Sequence, residues 1–320
     1  MTKNGILCNV NDKLVYLDPK NTDSAGINFV SHAHSDHLPS KNGGTILSSI
    51  ETNEIANLRG FKMENHVESI DDFTLIDSGH ILGSKGHLFD DIFYTGDICT
   101  RDRGFLKGAK VPKCKILITE TTFGLPEFNF PSIGNIQKQV NELISELYGK
   151  GIPVILMGYQ LGKAQTITQF FGHWGPLYFH DSVKDMNSLH QKFGMSLANG
   201  MGHSEAEKKG LLAKKPWVMV APMMSSKNKF IQEMKSKYGA VTIGFSGWAQ
   251  SSRFSFGRRT DYSIPMSDHC DFNELVDMVL QSGAEQVYTI HGFVEEFAEH
   301  LRKMGISAQP LLENSLDDFT

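Results

Sequence analysis

The sequence predicts an α/β protein in which a second domain is inserted into the first. Between residues 5 and 118, short apolar runs end at turn-forming residues, the pattern of strands joined by turns. Between residues 124 and 244, helix-like and strand-like segments alternate, which is typical of a parallel sheet covered by helices. Strand and helix patterns then continue toward the end of the chain, and 320 residues are enough for two domains.

The first segment is predicted to consist mainly of strands. Residues 14–17 are apolar and lie between two turn signals, Asn11-Asp12 and Asp18-Pro19. Thr52 is the predicted N-cap of a short helix that ends at residue 58. Further strands are predicted at residues 73–77, 86–89, 92–94 and 116–118.

The middle segment is predicted to be a separate α/β unit. Apolar residues recur at helical spacing over residues 136–148, and a buried strand follows at residues 153–157. Residues 161–165 then open a helix that continues to residue 171. Later in the segment, strands at residues 217–220 and 240–243 flank a polar helix at residues 229–237. We therefore predict an inserted domain at residues 124–244, with residues 1–123 and 245–320 forming the two parts of the other domain.

The final segment is predicted to return to the first domain. A helix is expected at residues 272–280, followed by a strand at residues 287–290 that delivers His291. A last helix, at residues 294–304, has apolar residues on one side, which is typical of a structural helix.

Composition narrows the class of protein. Hydrophobic residues make up 40% of the chain and charged residues 21%, which is ordinary for a globular protein. No apolar run could span a bilayer and residues 1–5 lack a signal-peptide pattern, so we expect a cytoplasmic protein with no membrane partner. Four scattered cysteines without a C-x-x-C pair favour reduced thiols. The net charge of -5 does not favour nucleic-acid binding, although basic residues cluster at 101–110 and 253–259.

One short motif predicts a metal centre. Three histidines and an aspartate lie within residues 32–37, in the pattern H-x-H-x-D-H, directly after an apolar run. Adjacent residues of a strand would point to opposite faces, so we expect the motif to lie on a loop. On a loop, His32 and His34 can approach one metal ion while Asp36 and His37 turn toward a second.

Three more strand-like runs end in a residue able to bind metal or to move protons. These residues are His80, Asp97 and Glu120, and a strand end can hold such a side chain in place. His87 is the alternative to His80, but it lies within a strand-like run, so His80 is the predicted ligand.

Together these motifs resemble the metallo-β-lactamase superfamily, and in particular its β-CASP nuclease branch. The H-x-H-x-D-H loop, Ser78-Gly79-His80 and Thr95-Gly96-Asp97 are similar to the ligand motifs of the superfamily. The segments at Glu120, Ser267-Asp268-His269 and His291 resemble the β-CASP signature. The resemblance covers nearly the whole chain. It is strongest to exonucleases associated with DNA ligases and extends to mRNA 3′-end processing factors.

The resemblance implies an αββα metallo-β-lactamase sandwich with an inserted α/β β-CASP cap domain. It implies two divalent ions, with Zn²⁺ expected first and Mn²⁺ as the alternative. One ion would be held by His32, His34 and His80, the other by Asp36, His37 and His291, and Asp97 would bridge them.

The implied activity is hydrolysis of phosphodiester bonds in single-stranded DNA or RNA, as a 5′ exonuclease. Two ions would activate a bridging hydroxide for attack on phosphorus. His269 is the predicted general acid, Glu120 would orient it, and Asp97 would fix the spacing of the two ions. A DNA ligase or a helicase is the partner that the resemblance suggests.

Nucleic-acid contacts are expected from five residues of the second half of the chain. Backbone amides near Ser246 and Gly247 would bind phosphate, and Trp248 would stack on a base. Lys163, near a helix N-terminus, and Arg258 are candidate phosphate contacts. Packing roles for the same residues stay open.

Two other functions compete with the nuclease prediction. A thioester or ester hydrolase of the glyoxalase type would use the same histidine loop, but would have no use for Glu120, His269 and the inserted domain. A nucleic-acid-binding subunit without activity would typically lack ligands, whereas all seven expected positions are filled.

Overall fold

The computed structural model describes residues 4–10, 13–251 and 260–311. The strands are β1 Ile6–Val10, β2 Lys13–Leu17, β3 Ile27–Phe29, β4 Ile46–Leu47, β5 His66–Val67, β6 Phe73–Asp77, β7 Lys85–Phe89, β8 Ile92–Tyr94, β9 Ile116–Thr121, β10 Val154–Gly158, β11 Leu177–Phe179, β12 Met201–Gly202, β13 Val218–Pro222, β14 Val241–Phe245, β15 Tyr262–Ile264, β16 Gln286–Gly292 and β17 Ala308–Pro310. The helices are α1 Ile50–Leu58, α2 Ile133–Gly149, α3 Lys163–Phe171, α4 Asp181–Lys192, α5 His203–Lys208, α6 Lys229–Tyr238, α7 Phe272–Ser282 and α8 Val294–Lys303.

The chain divides into two compact units. We call residues 1–102, 106–126 and 269–320 the flanking unit, and residues 103–105 and 127–268 the inserted unit. Both units contain helices and strands, so the protein has mixed α/β architecture. Among the described residues, no helix combines the length and the apolar character needed to cross a membrane.

The flanking unit contains two sheets that pack face to face. One sheet has the strand order β1-β2-β3-β4-β5 and the other has the order β17-β16-β9-β8-β7-β6. Side chains from both sheets form one buried cluster, which includes Val15, Phe29, Leu47, Phe89 and Ile118. This packing removes apolar surface from water and so stabilises both sheets. The loops that leave the strands are therefore anchored at their ends.

Helices α7 and α8 cover the outer face of the second sheet. Phe272, Leu275 and Phe297 from these helices pack with Leu117 and Val287 from the strands. A capping box starts α7: the Asp271 side chain accepts from the Glu274 backbone N–H, and the Glu274 side chain accepts from the Asp271 N–H. The N-cap residue Asp271 lies two residues after His269.

The N-cap predicted for α1 was wrong by three residues. The helix begins at Ile50, and the Ser49 side chain accepts a hydrogen bond of 3.1 Å from the Thr52 backbone N–H. Thr52 itself is buried in the first turn, where its hydroxyl donates to the Gly83 carbonyl. Both residue types are good N-caps, so the sequence alone did not distinguish them.

The inserted unit is built around a parallel sheet with the order β12-β11-β13-β10-β14-β15. One buried cluster contains side chains of α2, α3 and α4, and another contains side chains of α5 and α6. Strands buried by helices in this way are the doubly wound arrangement expected from alternating helices and strands.

The second boundary of the inserted unit differs from the predicted one. Residues 245–268 were expected in the flanking domain, but β15 pairs in parallel with β14. Ile264 and Met266 also join the core of the inserted unit. The unit therefore extends to Asp268 instead of ending at residue 244.

Candidate metal centre

Two segments bring three imidazoles around one point: His32 and His34 follow β3, and His80 follows β6. His32 Nε2 and His34 Nδ1 lie 3.1 Å apart, and His80 Nε2 lies 3.2 Å from His34 Nδ1. Asp97 Oδ2 completes the group, at 3.4 Å from His32 Nε2 and 3.5 Å from His80 Nε2. Ligand bonds of about 2.0–2.1 Å in a tetrahedron place donor atoms roughly 3.3 Å apart, so these four atoms fit one divalent ion.

The other carboxylate oxygen of Asp97 faces a second group. Asp97 Oδ1 lies 3.6 Å from His37 Nε2, and Asp36 Oδ2 lies 3.8 Å from the same nitrogen. The ring of His291 is centred 5.6 Å from that of His37. This group is looser than the first, because Asp36 is exposed and, among the described residues, Asp36, His37 and His291 belong to no group whose donor atoms all lie within 4.8 Å of one another. Asp97 nevertheless presents one oxygen to each group, the arrangement that a bridging carboxylate needs.

A close backbone approach positions His80. Gly79 has a φ of +69°, and a Cβ there would lie 2.3 Å from the Cys99 carbonyl oxygen. The Cys99 N–H also donates to the Ser78 carbonyl at 2.9 Å. Only glycine fits this approach, which brings the segment of His80 beside the segment of Asp97.

A β-bulge presents His291. The pairing of β16 with β9 shifts register between Ile290 and Gly292, and His291 has a φ of +52°. The Thr121 hydroxyl donates to the His291 carbonyl at 2.5 Å, and its backbone carbonyl accepts from Phe293 N–H at 2.9 Å. Bulges re-aim side chains, so this one turns His291 out of the regular alternation of the strand.

Asp18 was not predicted from the sequence. Its carboxylate accepts hydrogen bonds from the Ser31 backbone N–H and hydroxyl, both at 2.6 Å, and from the Tyr94 hydroxyl at 2.7 Å. It also contacts His37 Nδ1 at 2.7 Å, which assigns the proton to Nδ1 and leaves Nε2 as the donor atom for a metal. The available signal was an aspartate at a strand end before Pro19, which is also an ordinary turn pattern.

The electrostatic field of the site favours a cation. Burial opposes the charged form of His37, but Asp97 and Asp18 together outweigh it and raise its pKa to about 10. By contrast, burial and nearby imidazoles lower the pKa of His32 and His80. His32 and His80 are therefore neutral imidazoles beside the Asp97 carboxylate, and these are donors that divalent transition metals prefer.

A histidine–carboxylate pair lies beside these ligands. His269 Nδ1 and Glu120 Oε1 are 2.7 Å apart, and the His269 ring is centred 4.5 Å from that of His80. Glu120 is buried and also accepts from the backbone N–H groups of Ile98 and Thr122, at 2.9 and 3.2 Å. Because Asp97, Glu120 and His269 also have donor atoms within 4.8 Å of one another, this group is itself a possible metal site.

The described residues that were predicted to contact nucleic acid differ in their packing and burial within the inserted unit. Ser246 Oγ accepts from the Trp248 backbone N–H at 3.3 Å, and the Trp248 ring packs edge-on against Phe128 at 5.6 Å. Gly247 is buried. Lys163 is also buried, and its ammonium lies 2.7 Å from Asp268, so this conformation does not present it to a phosphate in solvent. Arg258 lies outside the described residues.

His87 packs among aromatic rings and lies outside the described groups of possible metal ligands. Its ring is centred 4.7 Å from those of Phe29 and Phe89 and 5.0 Å from that of Phe73. Within the part of the chain that the structure describes, neither ring nitrogen has a hydrogen-bond partner.

Comparisons with known proteins extend these findings. The chain is 28% identical over 302 residues to a probable DNA ligase of Opitutus terrae, which covers 90% of the chain and 29% of that protein. It is 34% identical over 101 residues to an RNase J-like protein of Methanocaldococcus jannaschii, which covers 30% of the chain and 24% of that protein. The resemblance to the β-CASP nucleases is confirmed.

One solved structure has a fold similar to that of this chain. A protein of unknown function from Enterococcus faecalis V583 superposes with a TM-score of 0.57 at 15% identity, over 90% of the chain and 79% of that structure. No family model matches the chain. The matched part of the chain spans less than a third of the length of each of these two curated relatives.

Proposed function

We propose that this protein is a metal-dependent nuclease that hydrolyses phosphodiester bonds of single-stranded nucleic acid, acting as a 5′ exonuclease. The observation that carries the proposal is the Glu120–His269 hydrogen bond next to His80 of the histidine cluster. The histidine–aspartate cluster alone would fit many kinds of hydrolase. The buried Glu120 carboxylate, which holds the His269 imidazole beside that cluster, adds a proton donor. The RNase J-like relative supports the substrate class.

The metal ligands of the proposed enzyme are the seven residues predicted from the sequence. His32, His34 and His80 would hold one ion, Asp36, His37 and His291 the other, and Asp97 would bridge. When bound, Zn²⁺ or Mn²⁺ would supply positive charge at the phosphate and lower the pKa of a water molecule toward neutrality.

The protein residues then handle the leaving group. Attack of the water-derived oxygen on phosphorus breaks the bond to the sugar oxygen, which needs a proton. Glu120 accepts the Nδ1–H of His269, so Nε2 is the atom from which the proton would pass. The products are a phosphate monoester and a sugar hydroxyl. Glu120 also stabilises the imidazolium before transfer, since a buried carboxylate favours a neighbouring positive charge.

The inserted unit is proposed as the β-CASP cap domain, with the flanking unit as the metallo-β-lactamase sandwich. Ser246, Gly247, Trp248 and Arg258 remain proposed nucleic-acid contacts. A DNA ligase or helicase as partner is likewise a proposal, which the probable DNA ligase among the relatives supports.

The test is degradation of single-stranded DNA and RNA labelled at the 5′ or the 3′ end, in Zn²⁺ and in Mn²⁺. We expect mononucleotides to be released from the 5′ end first. Hydrolysis of a glyoxalase-type thioester without cleavage of any oligonucleotide would instead support the small-molecule hydrolase. Binding of oligonucleotides without cleavage in either metal would support the inactive subunit.

A further inference from the structure

Three charged side chains are buried together in the inserted unit. Asp268 Oδ1 lies 2.7 Å from Arg103 Nη1, and Asp268 Oδ2 lies 2.7 Å from Lys163 Nζ. The side chains of Arg103, Asp268 and Lys163 are only 1%, 4% and 3% exposed. Lys163 also donates to the Met266 carbonyl at 3.1 Å. We call these three residues the Asp268 cluster.

Stability alone gives a poor account of the Asp268 cluster. Removing charged groups from water is energetically unfavourable, and apolar residues of similar volume are often as stabilising in such places. What a buried charged cluster fixes well is geometry, because the ion pairs define where the carboxylate must lie. Asp268 immediately precedes His269, so fixing Asp268 constrains the backbone on one side of that imidazole.

The other side of His269 is held within the flanking unit. Arg101 Nη2 donates to the His269 carbonyl at 2.7 Å, and the Cys270 N–H donates to the Ile98 carbonyl at 2.8 Å. The side chain is held in turn by Glu120. His269 therefore has held backbone after it and a held Nδ1, and the residue before it has a side chain held by two ion pairs.

We propose that the Asp268 cluster is a positioning device for His269. It keeps the imidazole aligned with the leaving oxygen, and it does not itself touch substrate. The proposal rests on the proposed role of His269 as proton donor. A shift of about 1 Å at a reacting group is enough to lower a rate by about 100-fold, so loss of the cluster should be measurable.

The test compares two substrates that differ in their need for an acid. A single-stranded oligonucleotide loses a strongly basic sugar oxygen, whereas bis(p-nitrophenyl) phosphate loses p-nitrophenolate, which leaves without a proton. Both are assayed for kcat and KM with Asp268→Asn and His269→Ala, and metal content and Tm are measured alongside. We expect Asp268→Asn to lower kcat on the oligonucleotide by about 10- to 100-fold and to change the aryl ester less than about 3-fold.

Two further comparisons separate positioning from general destabilisation. Asp261→Asn removes another carboxylate of the inserted unit, which accepts from Lys235 and Thr242, and it should affect both substrates alike. Arg103→Lys should retain most of the oligonucleotide cleavage that Arg103→Met loses, because lysine keeps a positive charge beside the Asp268 carboxylate. This pair also decides the matter if Asp268→Asn fails to fold.

The outcomes separate the proton-donor role of His269 from the positioning role of the Asp268 cluster. If His269→Ala shows no selective loss on the oligonucleotide, the proton-donor role fails, and the positioning proposal falls with it. If His269→Ala is selective but Asp268→Asn and Arg103→Met reduce both substrates equally, or neither, only the positioning proposal is overturned.

Discussion

His269 could serve this site in two ways, as a proton donor or as a metal ligand. Its imidazole contacts Glu120 at 2.7 Å, yet Asp97, Glu120 and His269 also have donor atoms within 4.8 Å of one another. As a proton donor, His269 would be needed only for catalysis. As a metal ligand, it would also be needed to retain the metal.

Replacement of His269 by alanine separates these roles. We expect the variant to keep the metal content of the wild type and to lose about 10²- to 10⁴-fold in oligonucleotide cleavage, the usual contribution of a general acid. Metal analysis and cleavage are measured on the same preparation. His173→Ala, at an exposed position, is the control. Loss of one metal equivalent from His269→Ala would identify a ligand instead.

Asp18 is expected to set the metal affinity without binding metal. Replacing it with asparagine keeps its shape but removes the negative acceptor of the His37 Nδ1–H. Loss of such partners typically weakens metal binding by 10- to 100-fold, so Asp18→Asn should release metal to a chelator at correspondingly lower chelator concentration. Asp71→Asn, at an exposed aspartate, should match the wild type. Equal affinities in both variants would exclude the role.

The buried His87 is expected to make the folded protein less stable than a variant with an apolar residue at this position, and the difference should grow at acid pH. Because neither ring nitrogen has a hydrogen-bond partner among the described residues, His87→Leu should raise the free energy of unfolding by about 1–3 kcal/mol at neutral pH. Burial lowers the pKa of His87 to about 3, so below its unfolded-state pKa the unfolded chain binds a proton that the folded chain does not. Wild-type stability should therefore fall between about pH 6.5 and 3.

Denaturant unfolding at several pH values measures this effect. The difference in stability between His87→Leu and the wild type should widen as the pH falls from 6.5 toward 3. A difference that stays constant with pH would show that His87 has the same pKa in the folded and the unfolded chain, which would contradict the prediction.

At the residue scale, the sequence predicted what local spacing encodes. The H-x-H-x-D-H loop lies within residues 32–37, and the structure brings His32 and His34 together with His80 and Asp97. Asp18 and Asp268 were not predicted. Their roles depend on contacts with residues 76 and 165 positions away, Tyr94 and Arg103, which no local pattern reveals.

At the element scale, the bulge in β16 is the feature on which His291 depends. Gly292 has a φ of +75°, and a Cβ there would lie 2.3 Å from the Thr121 carbonyl oxygen. Backbone cannot move away as a flexible side chain can. Any larger residue at position 292 must therefore distort the pairing of β16 with β9.

Replacing Gly292 with alanine should disturb the bulge and the second ion together. We expect loss of more than about 1 kcal/mol of stability and reduced occupancy by one metal equivalent. Gly283→Ala is a matched control, since Gly283 has a φ of +66° but its nearest neighbour would be 3.6 Å away. Metal content and Tm are compared. Equal effects of the two changes would show that only the positive φ matters.

Element prediction succeeded where apolar spacing was regular and failed where polar side chains are buried. Helix α2 was expected because Ile136, Val140 and Ile144 recur on one face, and these residues are buried. Helix α4 was not predicted. Asn187 and His190 occupy part of its buried face, where Asn187 accepts from Gln165 Nε2 at 2.9 Å, so the apolar pattern is broken.

For the whole molecule, the insertion was predictable but its end was not. The change from strand patterns to alternating helices and strands marked the start near residue 124, and the inserted unit resumes at Glu127. Its end depends on pairing of β15 with β14, which joins residues about 20 positions apart. Composition around residue 244 carries no sign of that pairing.

The proposed function requires that the histidine–aspartate cluster binds metal and that this metal is needed for phosphodiester hydrolysis. The most direct measurement is cleavage of a single-stranded oligonucleotide by metal-stripped protein as Zn²⁺ or Mn²⁺ is added back. We predict no cleavage by the stripped protein and full activity at two metal equivalents per chain. Cleavage that persists without metal, or that never appears at any metal concentration, would contradict the account.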